Sequence, residues 1–198
     1  MKKLFFTLLM GTLLLPMAMS QGYDIGDQAM DFTLKNVDGT NVSLSDYKDE
    51  KGVIVIFTCN HCPYAQAWEQ RIIDLDKKFD PKGYPVVAIQ PNDPKLAPGD
   101  SFEKMKERAE EKNYPFPYLM DEKQTVYKAY GATRTPHLYI LKNKGDSFIV
   151  QYIGAVDDNY KDANAVEKTY AANAVKALLK GNKPSPAKTK AIGCSIKD

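Results

Sequence analysis

The chain has 198 residues, 27 Lys and Arg against 25 Asp and Glu, and 43% apolar residues, which excludes a disordered or fibrous protein. Two lysines and no acid fall in the first twenty residues, so the remaining 178 carry 25 basic and 25 acidic side chains. A balanced chain has no global field for polyanions, and three cysteines are too few for a disulfide framework.

Residues 1–20 begin with Lys2 and Lys3, run apolar from Leu4 to Leu15, and end in Ala18-Met19-Ser20 after Pro16. This is the layout of a signal peptide cut before Gln21, and the run is shorter than the ~20 residues that span a bilayer. The expected product is exported, periplasmic or secreted, with no stable membrane insertion, in a compartment where disulfides persist. A single domain is expected over residues 21–181, followed by an extended tail over 182–198.

Within the domain, Phe32, Leu34, Val37, Val42 and Leu44 flank Asp38-Gly39, which predicts an N-terminal hairpin. Ser45 to Lys48 reads as one helical turn. Val53 to Phe57 is a continuous β-branched run, the sign of a strand covered on both faces. Ala65, Trp68, Ile72, Leu75 and Phe79 then predict an amphipathic helix stopped at Asp80-Pro81. Pro85 to Gln90 is a second buried strand, and Ser101 opens a charged helix to about Lys112. A short strand over Phe116–Met120 and a helix over Lys123–Tyr130 follow. Next come a hairpin of His137–Leu141 and Phe148–Ile153 and a helix marked by Ala163, Val166, Tyr170, Ala174 and Leu178. The tail shows neither helical nor strand period. The alternation of strands and helices predicts an α/β layered sheet.

Cys59-Asn60-His61-Cys62 lies where the first buried strand stops and the amphipathic helix starts. Two cysteines two residues apart can close a small disulfide, and a helix amino end favours a thiolate, the nucleophile of disulfide exchange. Cys59, nearer the loop, is the expected attacking sulfur, and Cys62, one turn further in, the resolving one. His61 is expected to stabilise the Cys59 thiolate, and Pro63 is tolerated in the first turn. No acid stands where it would take the Cys62 proton; Glu69 is the candidate along the helix.

These residues resemble the thioredoxin-fold superfamily, in its redoxin and peroxiredoxin-like, AhpC/TSA-related branch of bacterial thiol-disulfide proteins. The likeness runs through Gly26–Tyr47, Phe57–Tyr64 (FTCNHCPY), Gly131–Ile140 (GATRTPHLYI) and the tail Gly193–Lys197 (GCSIK). It implies a thioredoxin-like three-layer α/β/α sandwich with a central mixed sheet and the N-terminal hairpin. It also implies a cis Pro136 opposite the cysteines, with the Thr135 backbone offered to an extended substrate and His137 beside it. The peroxiredoxin pattern of a proline seven residues and a hydroxyl three residues before the reactive cysteine is absent. Gly52 and Ile56 stand there for Cys59, and Val55 and Cys59 for Cys62.

The expected function is therefore an exported thiol-disulfide oxidoreductase that needs no cofactor and exchanges disulfides with protein substrates and a redox partner. Nucleic acid is not an expected ligand, and the oligomeric state is open. A peroxiredoxin-like peroxidase is the alternative. A Cu or Zn carrier built on Cys59, Cys62, His61 and His137 is a third. Cys194 is either a bystander in a loose tail or a third redox thiol pairing with Cys59 or between two chains. Arg134 is expected to stay solvated.

Overall fold

The computed structural model describes residues 22–198, so the leader expected over residues 1–20 lies outside the described residues. Its centre is β3 (Gly52–Phe57), a run of six residues all buried. Alternate side chains of a strand face opposite sides, and here each side meets helices. Ile54 and Ile56 pack against α1 (Pro63–Phe79), α2 (Phe102–Lys112) and α4 (Tyr170–Leu179). Val53, Val55 and Phe57 pack on the other side against α3 (Val126–Tyr130) together with Phe32 and Leu44. A strand apolar at every position thus forms the middle of three layers.

The sheet has seven strands in the order β2-β1-β5-β4-β3-β7-β8. Here β1 is Thr33–Asn36, β2 Asn41–Ser43, β4 Val86–Gln90 and β5 Tyr118–Met120, with β7 at His137–Asn143 and β8 at Phe148–Gly154. β3, β4 and β5 are parallel, whereas β7 runs antiparallel to β3 and β8 to β7. The sheet is therefore mixed, and the N-terminal hairpin joins its edge through β1 against β5.

Local chemistry sets the helix ends. Pro63 occupies the first turn of α1, where its missing N–H costs nothing, so Cys62 is the N-cap. Asp76 near the far end of α1 accepts the Val86 N–H at 2.9 Å and ties the helix to β4. Ser101 caps α2, and Asn113 closes it at φ 51°, a left-handed position that asparagine tolerates.

Two expectations change. The last helix begins at Tyr170, not near Ala163; residues Ala163–Ala165 form a 3-10 turn and Val166 is extended. Asp162 accepts the Asn164 N–H at 2.8 Å and Asp158 accepts the Glu167 N–H at 3.1 Å, so side chains take backbone donors that a helix would need. The tail, expected to lack strand structure, contains β9 (Cys194–Ser195), antiparallel to β6 (Arg134–Thr135). A pairing two residues long leaves no periodic trace in a sequence.

Candidate active site

The C-terminal end of β3 delivers Thr58 to His61 into a loop that side chains hold from several directions. Asp100, fully buried, accepts the Asn60 N–H at 2.8 Å and the His61 N–H at 3.3 Å through Oδ1. Asn60 donates its side-chain amide to the Gly99 carbonyl at 3.0 Å and accepts from Tyr118 Oη–H at 3.0 Å. Gln66 donates to the Asn60 carbonyl at 2.8 Å. The loop is thereby fixed before the helix starts.

Both sulfurs face Thr135. The Cys59 sulfur lies 3.2 Å from the Thr135 hydroxyl oxygen, and the Cys62 thiol donates to the Thr135 carbonyl at 3.2 Å. The Thr135–Pro136 bond is cis, as the family resemblance implied. Cys62 is completely buried and Cys59 is 6% exposed, so the expectation of an exposed Cys59 does not hold. Nor does Cys62 lie a turn inside the helix: it is the cap, and Ala65 and Gln66 occupy the first turn beyond it.

The donors converge on Cys62. A hydrogen bond from the Cys59 thiol is the largest influence lowering its pKa, opposed by burial and aided by the Cys194 thiol and the Ala65 and Cys194 N–H groups; together they hold it down to about 4. The pKa of Cys59 is raised well above the usual thiol range, first by donation to Cys62, then by burial and by the charge of Asp100. When Cys62 ionises, its bond to the Thr135 carbonyl is lost and the other donors remain. A capping thiolate at a helix amino end is also where the backbone dipoles favour negative charge.

His61 stands near Cys59 and is held there by Asp100. Its Nδ1 lies 2.7 Å from Asp100 Oδ2 on a half-exposed side chain. Cys59, His61 and Asp100 place a sulfur, an imidazole nitrogen and a carboxylate oxygen within 4.8 Å of one another. These are donor types that suit Zn, but Asp100 already binds His61, Asn92 and two backbone N–H groups, so a cation would have to displace these bonds.

The contacts of His137 run to Tyr139 and Thr133. It is buried against the Tyr139 ring, its Nδ1 accepts the Thr133 N–H at 3.4 Å, and burial pushes its pKa down to about 4. Glu69 is likewise engaged, by Arg108 at 2.7 and 2.8 Å and by the Tyr114 hydroxyl at 2.6 Å. Arg134 is exposed, beside an open groove lined by Tyr64, Lys190 and Gly193. Cys194, half-buried, packs against Cys59, Cys62 and Ala65. Sequence reasoning missed Asp100 altogether. It sits in a loop rich in Pro, Gly and Asp about forty residues from the motif it organises, and spacing carries no signal of that contact.

A dithiol at a strand-to-helix junction, facing a cis-proline across a mixed sheet sandwiched by helices, defines a thioredoxin-like redox domain; solved thioredoxins and thiol-disulfide oxidoreductases share the fold. The AhpC/TSA family profile matches residues 25–158, and the chain belongs to that family. A provisionally named peroxiredoxin of Mycobacterium tuberculosis is 30% identical over 134 residues, 66% of this chain and 80% of that protein. The thiol-disulfide oxidoreductase ResA of Geobacillus thermodenitrificans is 27% identical over 121 residues, 61% of this chain and 65% of its own length. The solved structure of an uncharacterized conserved protein from Geobacillus kaustophilus is 42% identical with a TM-score of 0.81, covering 88% of this chain and 92% of that one.

Proposed function

We propose that the protein is an exported thiol-disulfide oxidoreductase acting on protein substrates through Cys62 and Cys59, with Cys62 as the attacking thiolate. This reverses the roles expected from the motif. The observation that carries it is the position of Cys62, capping α1 at its amino end with its sulfur 3.2 Å from the Thr135 carbonyl and with Cys59 and Cys194 packed around it.

Cys62 thiolate attacks a substrate disulfide, and the first substrate sulfur leaves as a thiolate. Cys59 then loses its proton to the His61–Asp100 pair, within 4.8 Å of its sulfur, and attacks the Cys62 sulfur of the mixed disulfide. The second substrate thiolate leaves, and two electrons have passed to the substrate. Run backwards, the same steps oxidise a dithiol. The substrate backbone pairs with Thr135 as an added strand, a recognition that reads main chain and leaves selectivity to side chains around it.

The test is trapping. A chain carrying both Cys59→Ser and Cys194→Ser is expected to stall as a mixed disulfide with its substrate through Cys62, whereas Cys62→Ser is expected to trap nothing. Accumulation of substrate on Cys59 in the Cys62→Ser chain would instead restore the original order.

A peroxidase is the second reading, favoured by the Thr135 hydroxyl 3.2 Å from the Cys59 sulfur, which supplies from β6 a group the motif itself lacks. Peroxide consumption by the wild type that is lost in Thr135→Val but kept with protein disulfides would favour it.

A further inference from the structure

The edge of β6 that would receive a substrate is already paired with the chain's own tail. β9 runs antiparallel to β6 with Thr135 opposite Cys194 and Arg134 opposite Ser195. Gly193 makes this approach possible, because a Cβ there would overlap the Thr135 carbonyl. Beyond the strand, Lys197 donates its N–H to Asn92 Oδ1 at 2.8 Å, and its carbonyl accepts from Asp93 N–H and Gln124 Nε2, each at 2.8 Å. Before it, Thr189 accepts the Ala155 N–H at 3.0 Å, and Ile192 packs on the main core. The tail is anchored on both sides of its cysteine.

We propose that residues 193–195 are an intramolecular substrate, which holds the peptide-binding edge and presents Cys194 to Cys62 for a Cys62–Cys194 disulfide. The proposal rests on the reading of Cys62 as the reactive sulfur. Three observations carry it. The strand lies where an extended partner would pair; its cysteine stands opposite Thr135, whose carbonyl meets Cys62; and Cys194 packs directly against the cluster that holds Cys62. Cys194 is also the most accessible of the three sulfurs, beside an open groove lined by Arg134 and Lys190.

The exchange is balanced within the chain. Cys194 loses its proton and attacks Cys62 of a Cys59–Cys62 disulfide. The Cys62–Cys194 bond forms, the Cys59–Cys62 bond breaks, and Cys59 leaves as a thiolate that takes up the proton, with no net gain or loss of electrons. An outside dithiol then reduces the half-exposed Cys62–Cys194 bond, and the two electrons and protons it gives up restore both thiols.

The experiment uses the full-length reduced protein treated with oxidised glutathione, quenched with N-ethylmaleimide and mapped by mass spectrometry. Cys59→Ser is expected to pass through a Cys62–glutathione adduct. Cys194 then displaces the second glutathione and leaves a Cys62–Cys194 linkage, with one glutathione disulfide consumed per chain. The chain with Cys59→Ser and Cys194→Ser is expected to stop at the adduct. If Cys59→Ser keeps the adduct as long as that double variant while the wild type forms Cys59–Cys62, this proposal fails and the redox reading stands. If the wild type exchanges with no disulfide, both fail. Gly193→Val, which lifts the strand without touching a sulfur, is expected to speed iodoacetamide alkylation of Cys62 about tenfold. An unchanged rate with an otherwise folded chain would show that the strand does not cover it.

Discussion

Removing the Asp100 carboxylate tests how the site is held. Its Oδ1 accepts the N–H groups of Asn60 and His61, and its Oδ2 accepts from Asn92 Nδ2 at 2.7 Å and meets His61 Nδ1 at 2.7 Å. His61 is half-exposed and regains water, but the Asn60 N–H and the Asn92 amide are buried and do not. A buried donor left unpaired costs about 1–3 kcal/mol. Losing two, with some relief from no longer burying a charge, puts Asp100→Ala at about 3 kcal/mol. For a domain of this size that is a fall in Tm of about 6–12 °C. Urea titration of the reduced protein is expected to show a lower midpoint with an unchanged slope. Asp100→Asn is more selective. It keeps Oδ1 as an acceptor but sets one amide against that of Asn92, which cannot turn over without releasing the Lys197 N–H from its Oδ1. Hydrogen exchange at the Lys197 amide is therefore expected to quicken more than the global stability falls. Asp100→Ala within about 0.5 kcal/mol of wild type, the range of ordinary surface substitutions, would refute the argument.

Burial holds the folded His137 at about 4, against about 6.5 when unfolded, so the unfolded chain takes up the proton first as pH falls. Stability is expected to drop by up to about 3 kcal/mol between pH 6.5 and 4, and His137→Phe to flatten that limb; parallel profiles would count against it. The Cys62 thiolate is expected as thiolate absorbance at 240 nm in the reduced protein, with a midpoint near pH 4, absent in Cys62→Ser. Because this pKa is depressed on folding, its contribution to stability is complete above the unfolded thiol value near 9 and is lost as pH falls through about 4. Reduced wild type and Cys62→Ser whose stabilities do not diverge as pH rises across that window would contradict the assignment. Asp157, buried, accepts from Trp68 Nε1 at 2.7 Å and Arg71 Nη1 at 2.6 Å. Asp157→Ala is expected to destabilise by about 2–4 kcal/mol and to shift the emission of the chain's one tryptophan, and an unshifted spectrum would show the indole to be held by other contacts.

The sandwich was legible because its strands and helices carry strong periods: six consecutive buried residues in β3, and apolar residues at three- and four-residue steps in α1. The last helix was misplaced at its start because Asp158, Asn159 and Asp162 bind nearby backbone groups, a local competition that apolar spacing does not register. Asp100 and the two-residue β9 were illegible for another reason. Each acts through one long-range contact, which exists only once the sheet brings distant loops to the same edge.

The order we propose for the two cysteines also has a basis in the sequence. Proline directly after Cys62 belongs at the first position of a helix, where its fixed φ and missing N–H fit, and that makes the preceding residue the cap. Cys59 then falls outside the helix, in a loop whose donors and acceptors are taken by Asp100, Gly99 and Tyr118. Cys59 as leading sulfur would leave the loop cysteine ionised beside the Asp100 charge, whereas Cys62 at the cap stands at the positive end of the helix dipole. The same geometry brings the tail to Cys62. Cys62 faces the Thr135 carbonyl, and a strand pairing with Thr135 brings its cysteine to that sulfur. On the proposed reading, one proline sets which thiol ionises and, through the sheet edge above it, which thiol the third cysteine meets.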